Sequence, residues 1–181
     1  MHLRLIDMYT ANKIRDGDAQ AFEELVDAYK EKVFNYCLRV TGDYQLGEEI
    51  AQEVFLRVYL NINRYDWRKA SLSTWIFTIT HNTCINMFCR GQRDIALDPI
   101  SLREVSASAE EEYISSCRIK ALNEILHSLP SEERMLVIMK SYLGFKYREI
   151  GKITGTPTGT VKSRLHAIHL KIRKMLGDED G

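Results

Sequence analysis

The sequence predicts an all-α protein of two small helical domains joined by an acidic flexible linker, the second containing a helix-turn-helix. Three observations carry this. Apolar residues recur at three- and four-residue intervals over most of the chain, strand-like alternation is weak throughout, and residues 91–112 lose helical periodicity while collecting Asp94, Asp98, Pro99, Ser101, Ser106 and Ser108. With 181 residues and 45% hydrophobic content, the chain can fill one packed domain or two small ones, and it shows no internal repeat. The expected boundaries are a first helical unit at 10–90, the linker at 91–112 and a second unit at 113–176, each large enough for three or four helices.

The first unit opens with a helix from Asp18, a residue suited to a helix start. Phe22, Leu25, Val26, Tyr29, Val33, Tyr36 and Cys37 form one apolar stripe along residues 18–40, and core packing accounts for it. The next helix, residues 45–62, offers Ile50, Val54, Leu56 and Val58 to the core. Its other face carries Glu48, Glu49, Gln52, Glu53 and Arg57. That predominantly acidic face is either solvated or a docking surface for a basic protein partner, because complementary charge steers encounter and fixes orientation. Residues 64–93 interleave aromatics with bases: Tyr65, Trp67 and Trp75 lie near Arg64, Arg68 and Lys69, with Ser73, Thr78, His81, Asn82 and Asn86 as nearby polar positions. Aromatic faces beside cations suit single-stranded nucleic acid, whose bases stack while its backbone is neutralised, although Trp75, beside Ile76 and Ile79, fits a core position better.

In the second unit a helix is expected from Ser131, with Glu132 and Glu133 in its first turn. Residues 147–170, YREIGKITGTPTGTVKSRLHAIHL, then read as two short helices hinged at Gly155 and Pro157. Gly155 supplies a positive-φ stop, Pro157 forbids continuation, and Thr158 is placed to cap the second helix. Val161, Leu165, Ile168 and Ile172 would share its buried face, leaving Thr160, Lys162, Ser163, Arg164 and His166 largely outside it. A helix-turn-helix sets such residues against DNA base edges and phosphates in the major groove, and Gly159 leaves room for close approach. The formal net charge is zero, yet residues 118–176 carry twelve Lys/Arg against four Asp/Glu, whereas residues 91–117 carry two against six. Basic charge is therefore concentrated around the helix-turn-helix, the distribution expected for phosphate contact.

Other classes find less support. No run of about 18 apolar residues exists to span a bilayer, and the first ten residues lack the apolar stretch and cleavage site of a signal peptide, so a cytoplasmic location is expected. Cys37, Cys84, Cys89 and Cys117 form no CxxC pair and read as reduced, mostly buried thiols. No phosphate-cradling glycine loop, nucleophile–base pair or carboxylate pair points to an enzyme, and no cofactor is implied. Two alternatives stand beside the nucleic-acid reading of both units: a metal or redox site at His81, Cys84, Cys89 and His2, which matches no common zinc spacing, and a stand-alone dimeric operator-binding regulator.

Three motifs together carry a family resemblance: GEEIAQEVFLRVY (47–59), SLSTWIFTITHNTCIN (71–86) and EIGKITGTPTGTVKSRLH (149–166). The chain resembles a bacterial extracytoplasmic function (ECF, group IV) sigma factor of the sigma-70 family, over nearly its whole length. The resemblance implies that the first unit is a region 2-like domain that docks on the β′ clamp of core RNA polymerase through Glu48, Glu49, Gln52 and Glu53. It further implies −10 recognition and melting by Arg64, Trp67, Arg68, Lys69, Ser73, Thr78, His81 and Asn82, with Asn82 as the base-reading residue and the loop from Asp66 to Ser73 closing over the same base. The second, region 4-like domain would contact the β flap and read the −35 element through Thr158, Thr160, Lys162, Ser163, Arg164 and His166. An anti-sigma factor, released by a stress or envelope signal, is the implied regulator. The chain departs from the family pattern twice. Asn86, Met87, Phe88 and Cys89 stand where an Asp and an Arg pair are common. Ala167, Ile168 and His169 replace an Arg-Ala-Arg run, leaving Lys162, Arg164, Lys171, Arg173 and Lys174 to supply charge. Weaker phosphate contact after the melting helix, and −35 affinity that is lower or more pH-dependent, are the expected consequences.

Overall fold

The structure, a computed structural model, describes residues 2–90 and 123–176, with side chains over 6–87 and 123–176. The predicted linker at 91–112 and Cys117 lie outside the described residues, and Cys89 lies outside the described side chains. The described residues contain helices and no strand: α1 (His2–Arg15), α2 (Ala19–Thr41), α3 (Tyr44–Asn61), a 3₁₀ turn (Ile62–Arg64), α4 (Leu72–Arg90), α5 (residues 123–128), α6 (Ser131–Val137), a π-helical turn (Ile138–Tyr142), α7 (Tyr147–Thr154) and α8 (Thr158–Leu176).

Local chemistry explains the boundaries. Asp18 Oδ1 accepts from Ala21 N at 3.0 Å, capping α2 as its sequence position predicts, and this bond holds the Asp18 carboxyl below its usual range. Asp43 does the same for α3, accepting from Leu46 N at 2.9 Å, so two residues suffice to turn α2 into α3. Glu149 starts α7 by accepting from Lys146 N at 2.8 Å. α1 begins at His2, eight residues before the expected start of the first unit.

Leu25, Val33, Tyr36 and Cys37 of α2 meet Ile50, Val54 and Val58 of α3 and Ile76, Phe77 and Cys84 of α4. Leu56, expected in this core, is instead 53% exposed: positions 50, 54 and 58 repeat every four residues, and 56 falls on the opposite side of the helix. In the second unit Met135, Ile138 and Met139 pack with Ile150 and Ile153 of α7 and with Val161, Leu165 and Ile168 of α8.

The two units share one continuous core. Phe77 stands edge-on to Tyr36 at 5.8 Å and to Phe145 of the second unit at 5.1 Å, and Arg39 lies 4.0 Å over the Tyr142 ring. Arg134 is the most heavily bonded side chain at the junction. It is buried, and its guanidinium donates to Leu126 O (3.0 Å), His127 O (2.8 Å), Leu129 O (3.1 Å) and, across the junction, Val40 O (2.7 Å). These carbonyls lie at the C-terminal ends of α5 and α2, where acceptors lack helical partners and the macrodipole favours a cation.

Arg134→Ala would remove four hydrogen bonds, two of them to the buried acceptors Val40 O and Leu129 O, and thermal or denaturant unfolding is expected to register a loss of about 2–4 kcal/mol. Arg134→Lys should recover little of it, because a single ammonium cannot reproduce the guanidinium fork.

Candidate nucleic-acid interface

The turn between α7 and α8 is built on two glycines. Gly155 adopts φ 65°, ψ 20° and donates to Gly151 O, ending α7 where the sequence predicts a positive-φ stop. Gly151 lies inside α7, and a Cβ there would stand 2.7 Å from Thr156 O, so the turn backbone rests directly on the helix. Apolar periodicity does not mark Gly151; the signal available was a glycine inside a short helix, where it is costly unless packing demands it. Thr158, expected as the cap of α8, is its first helical residue. Pro157 O accepts from Val161 N at 3.0 Å and so occupies the capping position, its ring presetting the entry angle.

Val161, Leu165 and Ile168 bury one face of α8 and divide its polar residues between two sides. Lys162, Ser163 and His166 line an open surface with Tyr147, Gly159 and His169, and Thr158 and Thr160 are also exposed. Arg164 and Lys171 turn toward α6, where Arg164 Nη1 lies 3.8 Å from Glu132 Oε2 and Lys171 Nζ lies 3.1 Å from Glu133 Oε2. Both pairs are solvent-accessible, so they hold the arginine and lysine weakly.

In the first unit the candidate loop shapes itself. Asp66 Oδ1 accepts from Arg68 N at 3.0 Å, Asp66 O accepts from Lys69 N at 3.0 Å, and Tyr65 Oη donates to Ala70 O at 3.2 Å. Arg64, Arg68 and Lys69 are exposed, and the Arg68 guanidinium lies 5.5 Å from the centre of the half-buried Trp67 ring. Tyr65 is buried and packs against Trp75 at 5.3 Å, which leaves Trp67 as the better placed ring for stacking. On α4, Asn82 is exposed and Ser73 is half-buried, while Thr78 donates its hydroxyl to Thr74 O at 2.8 Å.

His81 does not share the open surface with Asn82. It is buried, with Nδ1 3.4 Å from Tyr36 Oη, and it lines a cleft of ≈ 250 Å³ with Glu132, Thr154, Thr156 and Arg164. Lys152 Nζ donates to Lys69 O, so the first helix of the helix-turn-helix touches the candidate −10 loop. The two groups of candidate DNA-binding residues are thus neighbours in this arrangement.

The face of α3 that carries Glu48, Glu49 and Gln52 is exposed, and Glu53 pairs with Arg57 Nε at 2.6 Å. Leu56, Tyr59 and Leu60 lie on the same side and are more than half exposed, making the surface apolar as well as acidic. Their register with positions 48, 49 and 52 was readable on a helical wheel. Cys37 and Cys84 are buried free thiols, and the hydrogen bond to Cys84, with burial, holds the Cys37 thiol well above its ordinary value. Among the described residues no group of three or more His, Cys, Asp or Glu is placed to hold a metal, and no helix is long and apolar enough to cross a membrane.

Comparison with known proteins places this geometry. The family model for Sigma-70 region 2 matches residues 25–94 and that for Sigma-70, region 4 matches residues 119–168. The chain is 30% identical over 177 residues to the ECF RNA polymerase sigma factor SigW of Bacillus subtilis, covering 92% of this chain and 94% of that protein. Its fold is similar to CnrH solved in complex with the cytosolic domain of CnrY (TM-score 0.72, 16% identity, 96% of this chain and 99% of that one). It is also similar to Bartonella quintana RpoE solved with the anti-sigma factor NepR (TM-score 0.70, 15% identity, 90% and 100%). A region 2 unit followed by a region 4 helix-turn-helix unit defines a transcription initiation factor of the sigma-70 type. Within that class, the chain belongs to the ECF RNA polymerase sigma factors.

Burial holds His81 below its usual value of 6.5, and does the same for His127 with the Arg134 cation adding to it. The unfolded chain therefore binds more protons than the folded one as pH falls, so this stabilisation is present above about pH 6.5 and is lost as pH falls through the folded values. The thermal midpoint should drop between neutral pH and pH ~5, and His81→Gln should make that drop shallower.

Proposed function

We propose that this chain is a group IV sigma factor that joins core RNA polymerase and directs promoter-specific initiation, held in check by an anti-sigma factor. The observation that carries the reading is α8: Val161, Leu165 and Ile168 anchor it inward while Lys162, Ser163 and His166 present an open polar face behind a tight Gly155–Pro157 turn. That face suits −35 major-groove readout, with Thr158, Thr160 and Arg164 at its margins. Trp67, Asn82 and the bases of the 64–69 segment suit capture of an extruded −10 base, where stacking and hydrogen bonds offset the cost of unstacking. Ser73, Thr78 and His81 complete the proposed −10 set, His81 after the two units part.

Glu48, Glu49, Gln52 and Glu53 on α3, beside Leu56, Tyr59 and Leu60, would dock the β′ clamp, acidic charge steering the encounter and apolar area supplying affinity. The second unit would contact the β flap. The factor acts in the cytoplasm and positions DNA while the polymerase performs the chemistry. An anti-sigma partner is supported by the fold shared with RpoE, which was solved with the anti-sigma factor NepR. A stress or envelope signal is its proposed trigger.

The decisive experiment is co-elution with core RNA polymerase on a sizing column, followed by run-off transcription from the DNA upstream of the chain's own gene. Co-elution with a discrete transcript is expected; a folded, inhibitor-free chain that fails to co-elute would overturn the reading. Glu48→Lys with Glu49→Lys should weaken co-elution without loss of helicity, because two like charges then oppose the partner. Lys162→Ala should weaken promoter binding and reduce its salt slope by about one, the change that follows from losing one phosphate contact.

A further inference from the structure

Asp7 and Arg15 of α1 stand eight residues apart, so the helix separates them by about 12 Å along its axis. The buried residues Ala11 and Ile14 lie between them and fix that side of α1 against the first unit. Both polar side chains reach the segment joining α3 to α4. Arg15 donates from Nε and Nη2 to Ile62 O at 3.3 and 3.2 Å, and from Nη2 to Tyr65 O as well. Asp7 Oδ2 accepts from Leu72 N at 3.0 Å.

The contacts meet backbone groups at the two ends of this segment. Ile62 O, which also accepts from Tyr65 N at 3.1 Å, and Tyr65 O lie at the two ends of the 3₁₀ turn, and a guanidinium fork suits two such acceptors at once. Leu72 N is the first N–H of α4, without a partner in its own helix, and a carboxylate there also meets the positive end of the macrodipole. Ser71 Oγ takes the N–H of Thr74 at 3.2 Å, so Asp7 and Ser71 divide the work of capping α4. Residues 66–71 are thereby suspended between two anchors that belong to neither flanking helix. The bonds from Asp66, and between Tyr65 and Ala70, give the loop its internal shape; Tyr65 against Trp75 and Lys152 on Lys69 O also hold it, and α1 fixes the two points where it leaves α3 and enters α4.

We propose that Asp7 and Arg15 are positioning residues for promoter recognition, setting the loop so that Trp67 and Asn82 face a single captured base. The inference rests on the proposed −10 reading. α1 then belongs to the specificity apparatus, although neither side chain touches DNA.

The test uses the full chain in complex with core RNA polymerase and a pool of short single-stranded DNA of random sequence. Selection gives a preferred oligonucleotide, and its affinity is compared with versions carrying one abasic position at a time. With Trp75→Phe, and fluorotryptophan incorporated into this chain alone before it joins the unlabelled polymerase, the fluorine resonance of Trp67 reports base stacking. Asp7→Ala and Arg15→Ala should each lower the preference for the intact base by about ten-fold, the ratio set by ~1.4 kcal/mol, and diminish the Trp67 response while co-elution with core polymerase persists. Asp7→Asn should restore the preference, because its amide oxygen can still cap Leu72 N; Arg15→Lys should restore it only partly. Unchanged preference in Asp7→Ala and Arg15→Ala, alongside a loss in Trp67→Ala and Asn82→Ala, overturns the role of α1. Unchanged preference in Trp67→Ala and Asn82→Ala instead overturns the −10 reading, and the inference falls with it. A matching loss of core co-elution in the α1 variants would reduce Asp7 and Arg15 to general scaffold and also overturn it.

Discussion

Two helix ends converge on one buried cation. The carbonyls that close α5 and the Val40 carbonyl near the end of α2 all point to the Arg134 guanidinium. A buried charge without compensation would expel itself from such a place; four acceptors and two favourable dipole ends make it tolerable. The geometry around it follows. With α2 and α5 tied to the same side chain, Phe77 is brought against Phe145, Arg39 lies over Tyr142, and α7 settles along α4 close enough for Lys152 to reach Lys69 O.

The resulting surface separates tasks that the linear charge pattern merges. The basic excess of the second unit looks uniform along the sequence, yet Glu132 and Glu133 draw Arg164 and Lys171 toward α6 while Lys162 and His166 remain on the open side. Adjacent residues likewise diverge on α4, where Asn82 faces solvent and His81 is enclosed. Helical geometry turns neighbours by about 100°, which is enough to assign one residue to a surface and the next to a junction.

Much of the fold was legible because its signals are local. The α2 stripe, the Asp18 cap, the Gly155 stop and the inward face of α8 each depend on residues within a turn or two of one another. The polar composition of α8 and of the 64–69 segment likewise announced candidate nucleic-acid surfaces, and the three motifs together announced the family. What stayed hidden depends on distance in sequence. Arg15 bonds to residues 47 and 50 positions away, Asp7 to one 65 away and Arg134 to one 94 away, and no periodicity encodes such partners. Leu56 was legible but misassigned: its register with positions 48, 49 and 52 puts it on the acidic side, and hydrophobicity alone does not distinguish a core residue from an exposed apolar one.

The junction also bears on how an affinity for DNA should be understood. Promoter elements centred near −10 and −35 lie roughly 25 base pairs apart, about 85 Å of B-form duplex, whereas the two units here are in direct contact. The residues between Arg90 and Asn123 are numerous enough that their covalent reach, at most about 110 Å, spans that interval. On the proposed reading, simultaneous engagement requires a parted state, and the apparent dissociation constant of the isolated chain is the intrinsic one divided by the fraction of molecules in that state. A partner that holds the units apart would then strengthen promoter binding without making a single contact to DNA, and one that clasps them together would weaken it without covering a single base-reading residue.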